Sequence, residues 1–186
     1  MKPQSLRLAL ICLAPFIADC AAPGRRIDGA RPKDDRDDTL RKLDAFVGRW
    51  EVSGMIQKPG SQAPSTLAGR NEVRWEGDLL VARGRTTVDG VDSTAMAVVT
   101  YDAAADVYRS VSISPAGSVG LGTMQFDDGE SRWRGRIESD GPAGRMIWEG
   151  EFRFLDPDTK TERWVGASAE HPDQRIEITK TEKRIP

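Results

Sequence analysis

From Trp50 onward, most of the chain consists of short stretches in which apolar and polar residues alternate, separated by turn residues. In the clearest stretch, 131–139, Trp133 and Ile137 fall on one face and three arginines fall on the other. A period of two places successive side chains on opposite faces of a strand, so one face can be buried. The predicted strands span 49–58, 66–76, 79–88, 93–101, 107–114, 119–126, 131–139, 145–155, 161–168 and 175–183.

The connections between these strands predict a meander. Asp89-Gly90 and Asp127-Asp128-Gly129 are typical of tight hairpins. An open sheet would expose two edges, so we expect the strands to close into an antiparallel up-and-down β-barrel of about ten strands. A sandwich with longer crossover connections is the alternative. Glycines inside the predicted strands permit the curvature that a small barrel needs; they are Gly54, Gly69, Gly84, Gly120, Gly122, Gly135, Gly150 and Gly166.

One short helix is predicted before the first strand, at about 38–47. Leu40, Leu43 and Phe46 share one helical face, acidic residues precede them, and Gly48 follows. In a barrel, such a helix lies either across an open end or on the outside. Both placements are consistent with the pattern.

The first residues have the composition of an export signal. Lys2 and Arg7 precede a ten-residue apolar stretch at 8–17, which is too short to span a bilayer. We therefore expect 1–20 to be a secretory or lipoprotein signal peptide, with Cys20 as the lipidation site. Cleavage near Cys20 or Ala22, with release into the periplasm, is the alternative. Residues 21–36 contain Pro, Gly and charged residues and predict a flexible linker, so the barrel domain would span 37–186.

Composition excludes several classes of function. The net charge is −2 with Lys and Arg scattered among acids, which argues against nucleic-acid binding. The chain has one histidine and two cysteines, both cysteines near the amino terminus, so it predicts no metal site and no disulfide in the folded domain. Asp127-Asp128 and Asp156-Pro157-Asp158 are interpreted as turns. We predict no catalytic residue and no cofactor, and scattered carboxylates alone leave an enzymatic activity open.

The tryptophans are the candidate ligand-binding side chains. Five tryptophans fall on five different predicted strands. An inward tryptophan offers a broad apolar surface and an N–H donor to a bound molecule. Trp50 is expected to fill the base of the barrel instead. The candidates are Trp75, Trp133, Trp148 and Trp164, and the alternative is that they too only fill the interior.

Three arginines are candidates for holding a ligand carboxylate. Arg83 and Arg85 share a face with Leu79 and Val81, and Arg109 shares one with Val107 and Val111. A guanidinium group can bind a carboxylate with two parallel hydrogen bonds. The alternative is that these arginines face water, as most arginines on the predicted strands do.

Several short motifs carry a resemblance to known families. Gly48-Arg49-Trp50 resembles the Gly-x-Trp signature at the first strand of the calycins, the superfamily of lipocalins and fatty-acid-binding proteins. The chain resembles the bacterial family called domain of unknown function 1579 more closely, through segments spread over residues 40–184; they are 43–50, 72–75, 100–102 with Tyr108, and 178–181. That resemblance implies a lipocalin-like barrel and no settled activity.

The nitrobindins, a related calycin-like group, bind haem through a histidine on the final strand. The single histidine of this chain, His171, falls in a His-Pro-Asp turn before the last predicted strand. We therefore expect a solvated turn histidine and no haem.

These observations predict an exported protein, periplasmic or lipid-anchored, that binds a small apolar or amphipathic ligand inside a β-barrel. The expected partner is a small hydrophobic molecule, with membrane contact only through the lipid anchor. The alternative is a non-catalytic structural or interaction protein of the cell envelope with a filled barrel.

Overall fold

The computed structural model describes residues 38–142 and 144–186. They form a closed barrel in which each strand pairs with the next along the chain and the last pairs with the first. All pairings are antiparallel. The predicted signal peptide 1–20, the linker 21–36 and the lipidation site Cys20 lie outside the described residues.

The ten strands confirm the predicted barrel, and the pairing of consecutive strands differs from the alternative of a sandwich with crossovers. Their bounds lie close to those predicted from the alternation. The strands are β1 Gly48–Gln57, β2 Ser65–Glu76, β3 Leu79–Val88, β4 Val91–Asp102, β5 Val107–Ile113, β6 Val119–Asp127, β7 Arg132–Gly141, β8 Gly144–Asp156, β9 Thr159–Ser168 and β10 Arg175–Ile185.

The Asp89-Gly90 hairpin has the predicted tight turn. Asp89 has φ 49° and Gly90 has φ 82°, so both central residues are left-handed. This is the type I′ geometry, whose twist matches that of the flanking strands. Val88 and Val91 therefore pair directly across the turn.

The predicted helix is present, but only its first part is α-helical. Helix α1 spans Asp38–Arg41 and continues as a 3-10 helix over Lys42–Phe46. The N–H of Val47 donates to the Asp44 carbonyl at 3.0 Å, which is the tighter spacing of a 3-10 turn. Among the described residues, no helix has the length and the hydropathy that crossing a bilayer requires.

This helical segment lies across one end of the barrel, which we call the capped end. Leu43 and Phe46 are buried there, and the Tyr108 hydroxyl donates to the Thr39 carbonyl at 2.6 Å. The segment belongs to the capped-end cluster of buried apolar residues; its members are Leu43, Phe46, Trp50, Val73, Leu80, Val99, Tyr108, Met124 and Trp133.

A second group of buried residues, the far-end cluster, fills the other half of the barrel. It consists of Val52, Ile56, Leu67, Val88, Ile137, Met146, Trp148, Trp164 and Ile178. Burial of these two clusters provides the main stabilisation of the fold, since no disulfide links the described residues.

The Gly48-Arg49-Trp50 motif joins the first and last strands at the capped end. Trp50 is fully buried and its Nε1 donates to the Phe46 carbonyl at 2.8 Å. The Arg184 guanidinium lies 4.3 Å from the Trp50 ring centroid and donates to the carbonyls of Val47 and Ala45. Gly48 has φ 142°, and a Cβ there would lie 2.3 Å from Arg184 Nη1. The motif therefore needs glycine both for its backbone and for the approach of Arg184.

Candidate functional site in the barrel interior

Two of the candidate tryptophans lie flat against the inner wall of the barrel. Trp148 pairs directly with Gly166, and Trp164 pairs directly with Gly150. A Cβ on Gly166 would lie 2.3 Å from Trp148 Cε3, and one on Gly150 would lie 2.4 Å from Trp164 Cδ2. Each indole ring thus covers the space above a glycine on the neighbouring strand. The rings line the wall instead of projecting across the interior.

The inner face of β4, β5 and β6 carries only small side chains in the far half of the barrel. Among the described residues, the far-end cluster takes no member from these three strands. Ala97, Ser110 and Ser112 lie on this inner face and are only partly buried. The full set is Ser93, Ala95, Ala97, Ser110, Ser112, Gly120 and Gly122. The interior therefore has an aromatic wall and a wall of small and hydroxyl-bearing residues.

Between the two apolar clusters lie four buried charged residues, which we call the ionic cluster: Lys160 and Glu162 on β9, and Lys180 and Glu182 on β10. Opposite charges face each other directly, since Glu162 pairs with Lys180 and Lys160 pairs with Glu182. Lys160 Nζ lies 2.8 Å from Glu162 Oε1 and 2.9 Å from Glu182 Oε2. Lys180 Nζ lies 2.5 Å from Glu162 Oε2 and 3.5 Å from Glu182 Oε1.

The surroundings hold three of these groups charged and act differently on Glu182. Burial opposes ionisation of Lys160 and Lys180, but the two carboxylates outweigh it and raise the pKa of both lysines. Burial likewise opposes ionisation of Glu162, yet the two ammonium groups lower its pKa below the usual range. Burial raises the pKa of Glu182, because the attraction of Lys160 is offset by the negative charge of Glu162.

Several buried polar atoms on the inner face have no hydrogen-bond partner among residues 38–142 and 144–186. Asn71 Nδ2 donates to Glu182 Oε2 at 3.0 Å, but Asn71 Oδ1 and Glu182 Oε1 accept no hydrogen bond. The other inward atoms of this kind are Thr86 Oγ1, Ser139 Oγ and Trp148 Nε1. A buried polar atom without a partner destabilises a protein by about 1–3 kcal/mol, so each needs an explanation.

The structure brings three of the four candidate tryptophans fully into the interior. Trp133, Trp148 and Trp164 are buried. Trp133 packs in the capped-end cluster, with its ring centroid 4.8 Å from that of Tyr108. Trp75 is half-buried at the capped end, where its Nε1 donates to Asp44 Oδ1 at 2.7 Å. Trp148 and Trp164 are therefore the two candidate tryptophans that lie in the far half of the barrel.

The three candidate arginines lie on the outer face of the barrel and not in its interior. Arg83 pairs with Glu76 and Arg85 pairs with Asp92. Arg109 Nε donates to Asp102 Oδ2 at 2.6 Å and lowers the pKa of that carboxyl. Leu79 and Val111 on these outer faces are exposed and Val107 is partly buried, whereas Val81 is buried although it shares the face of Arg83. An interior carboxylate would be out of their reach.

His171 lies exposed in the turn between β9 and β10, as expected for a solvated turn histidine. Among the described residues, no group of three or more His, Cys, Asp or Glu side chains is arranged to hold a metal ion.

Two open depressions lie on the outside of the barrel. The larger, of about 990 Å³, is lined mainly by outward residues of β6–β9, and the smaller, of about 590 Å³, lies over β8–β10 and β1. Some of their arginines pair with acids, such as Arg136 with Glu149 at 2.9 Å and Arg163 with Glu177 at 2.7 Å.

The ionic cluster is the part of the site that the sequence interpretation missed. Lys160 and Glu162 share a face with Trp164, and Lys180 and Glu182 share one with Ile178. The same period of two that places Trp164 inward therefore places these charges inward. Charged residues on strands usually face water, and this general rule obscures the signal in the sequence.

No protein-family profile and no curated protein sequence matches the chain, so the resemblance to domain of unknown function 1579 is not confirmed. The fold is similar to that of S-type phycobiliprotein lyase CPES from Guillardia theta, with a TM-score of 0.57 and 13% identity over 81% of this chain and 94% of that one. It is also similar to Rv2717c from M. tuberculosis, with a TM-score of 0.61 and 11% identity over 82% of this chain and all of that one. Both are lipocalin-like barrels, and at these identities the likeness shows the fold alone.

Proposed function

We propose that this protein binds a small apolar or amphipathic molecule in the far half of its barrel. The observation that carries the proposal is the contrast between the two inner walls. Trp148 and Trp164 lie flat on glycines, and in the far half the inner face of β4–β6 carries only small residues. A flat apolar molecule would fit between an aromatic surface and a wall of hydroxyl-bearing residues, since ligand sites combine a broad apolar lining with a few placed polar groups.

The unpartnered polar atoms support the same site. Trp148 Nε1 and Ser139 Oγ are inward donors on neighbouring strands, without a partner among the described residues. A ligand that carries a polar group beside its apolar body would satisfy them. Similarity to a phycobiliprotein lyase shows that this barrel type occurs in a protein named for action on a pigment-bearing protein.

The proposal extends to the compartment. The signal-like residues 1–20 motivate export, followed by release into the periplasm or anchoring through a lipid on Cys20. Mass analysis of the mature amino terminus tests this: a lipidated Cys20 supports the anchor, a start near residue 21 or 23 supports release, and an intact Met1 contradicts export.

Native mass spectrometry of the purified protein tests the binding function. We expect a retained small molecule, or uptake of a flat apolar probe such as 2-naphthol. Ala97 on β4 points inward and its neighbour Val98 points outward. We expect Ala97→Phe to block uptake by filling the space beside the small-residue wall, and Val98→Phe to leave uptake unchanged. A wild-type protein that retains and takes up nothing would contradict the proposal.

The alternative, an interaction protein of the cell envelope, is favoured by one observation on the outer face. Val111, Ile113, Val119 and Leu121 are 41–63% exposed. They form one apolar patch across β5 and β6, because Val111 pairs with Leu121 and Ile113 pairs with Val119. Contiguous exposed apolar residues often mark interaction surfaces.

Charge substitutions separate the two functions. Under the alternative, Val111→Lys with Leu121→Lys abolishes cross-linking to a protein partner in the cell envelope and leaves small-molecule uptake untouched. If small-molecule binding is the function, the same double variant still retains its small molecule and performs that function in the cell. The deciding measurement is cross-linking in intact cells. Ala97→Phe is the opposite control, because it should block small-molecule uptake and leave cross-linking unchanged.

A further inference from the structure

Three buried polar oxygens without a hydrogen-bond partner among the described residues lie on the inner face between the two apolar clusters. Glu182 pairs with Val52, Val52 pairs with Gly69, and Gly69 pairs with Thr86, so these residues form one row across β10, β1, β2 and β3. Asn71 stands two residues from Gly69 on the same face and is bonded to Glu182. Asn71 and Thr86 are diagonal neighbours on adjacent strands, a spacing within reach of one ligand group, and the Asn71 side chain extends this contact to Glu182.

This row lies between the apolar clusters and is deeply buried. Asn71 is 8% exposed, Thr86 0% and Glu182 1%. On β2, Leu67 belongs to the far-end cluster and Val73 to the capped-end cluster, with Asn71 between them. The row adjoins the far-end cluster that contains Trp148 and Trp164, so a molecule bound beside these rings would extend its polar end toward Asn71.

The atoms without partners among the described residues determine the kind of group that fits. Asn71 Nδ2 donates to Glu182 Oε2, so the amide atom left without a partner is Asn71 Oδ1. An amide oxygen can only accept a hydrogen bond. Glu182 Oε1 lies 3.5 Å from Lys180 Nζ and makes no hydrogen bond with it. The Thr86 hydroxyl can accept as well as donate. With Glu182 ionised, a carboxylate or a phosphate would meet the lone pairs of two oxygens here, which is repulsive.

The charge of the ionic cluster excludes a cation as well. Two lysines and two glutamates balance when all are ionised, and the raised pKa of Glu182 can move the cluster only toward positive charge. An added ammonium group would leave a buried charge with no counter-charge, which is strongly unfavourable. A neutral N–H or O–H donor supplies the missing hydrogen bonds without changing the charge.

We propose that the barrel recognises a flat apolar molecule bearing a neutral N–H or O–H group, which donates to Asn71 Oδ1 and Glu182 Oε1 beside the Thr86 hydroxyl. This inference rests on the proposed binding function and specifies its ligand class. It assigns to the ionic cluster the task of holding Glu182 and Asn71 in position, so that their free oxygens face the ligand.

A matched set of naphthalene probes tests the inference by isothermal titration calorimetry at pH 7. The probes are 2-naphthol, 2-methoxynaphthalene, 2-naphthoate and 2-naphthylmethylammonium, which share one ring system and differ in the polar group. We expect 2-naphthol to bind at least tenfold more tightly than 2-methoxynaphthalene, which cannot donate. We expect both ions to bind more weakly than 2-naphthol.

Two threonine variants on one strand locate the contact. Thr86 and Thr87 are adjacent on β3, Thr86 points inward without a partner among the described residues, and Thr87 points outward and bonds to Asp92. We expect Thr86→Val to fold normally, since it removes an unsatisfied hydroxyl and keeps the shape, and to lower the preference for 2-naphthol severalfold. Thr87→Val should leave that preference unchanged.

The outcomes separate this inference from the function on which it rests. Equal affinity for all four probes, a preference for 2-naphthoate, or an unchanged preference in Thr86→Val overturns the inference and leaves ligand binding intact. Absence of binding by every probe, together with no retained molecule by native mass spectrometry, overturns the proposed function itself. A preference for 2-naphthol that is weakened only by Thr86→Val supports both.

Discussion

At the scale of single residues, the interior depends on glycines that make room for aromatic rings. Gly166 and Gly150 lie beneath Trp148 and Trp164, at distances where no Cβ fits. These glycines act through packing, because their backbones lie in regular strands. The aromatic wall therefore depends on these two glycines as much as on the two tryptophans.

We predict that Gly166→Ala destabilises the protein by about 1–3 kcal/mol, the usual cost of forcing extra volume into a packed interior. The new Cβ would lie 2.3 Å from Trp148 Cε3, so the indole must move. Urea unfolding followed by tryptophan fluorescence measures the loss.

Gly129→Ala is the control for this prediction. A Cβ there meets its nearest atom, Asp127 Oδ1, at 3.5 Å, which is an ordinary contact. An equal loss in both variants would show that the position above Gly166 is not tightly filled.

The ionic cluster gives a second prediction at this scale. Lys160→Met leaves two buried carboxylates facing one ammonium group, and we expect it to destabilise the protein by about 3–5 kcal/mol. Lys160→Met with Glu182→Met restores the charge balance and keeps the pair of Lys180 and Glu162. The double variant should therefore be more stable than Lys160→Met alone, as measured by urea unfolding. If the stability losses of Lys160→Met and Glu182→Met measured singly simply add in the double variant, the coupling between the two side chains is contradicted.

At the scale of elements, the short helical segment closes the capped end of the barrel. Phe46 makes edge-to-face contacts with Trp133, Phe152 and Phe154, at centroid distances of 5.1–5.8 Å. The segment tightens into a 3-10 helix where Trp50 Nε1 donates to the Phe46 carbonyl. Tertiary contacts of this kind outweigh the weak intrinsic preference of so short a helix.

We predict that Phe46→Ala destabilises the protein by about 3–5 kcal/mol, because the cavity it leaves is walled by rigid aromatic rings. Thermal and urea unfolding measure the loss. Asp38→Ala, at an exposed position of the same segment, should change stability by less than about 0.5 kcal/mol. A small effect of Phe46→Ala would mean that the segment does not hold the capped end closed.

At the scale of the whole molecule, the barrel stabilises buried charges that separate strands would leave in water. The pKa of Lys160 and of Lys180 rises above the ordinary value of 10.5 when the strands close, since burial is outweighed by the two glutamates. Folding and protonation of these lysines are therefore linked.

We predict a loss of stability at alkaline pH. Below pH 10.5 both lysines are protonated in the folded and in the unfolded chain, so their contribution is fully present. Above that pH the unfolded chain loses protons that the folded protein keeps, and the free energy of unfolding falls as pH rises through the folded pKa values.

Urea unfolding across an alkaline pH series measures this effect. Lys180→Met with Glu162→Met removes part of the linkage, so this variant should show a shallower decline. A stability that is independent of pH above 10.5 would contradict the raised pKa values. On the acid side, the lowered pKa of Glu162 gives a contribution that is present above pH 4.5 and is lost below it.

The sequence by itself determined the local structure of this protein. Alternation at 131–139 and the Asp89-Gly90 turn were sufficient to place strands and a hairpin, because both depend on residues close together in the chain. The same alternation assigned each side chain to one of two faces, and so also determined that Lys160 lies on the same face as Trp164.

Only the tertiary structure decided which face is inside and which strands are neighbours. Arg83, Arg85 and Arg109 could be assigned to a face but not to the outside until the barrel closed. The pairing of Trp148 with Gly166, and the bond of Asn71 to Glu182 across 111 residues, depend on the register between strands. Register is set by the packing of the whole barrel, which no short window of sequence contains.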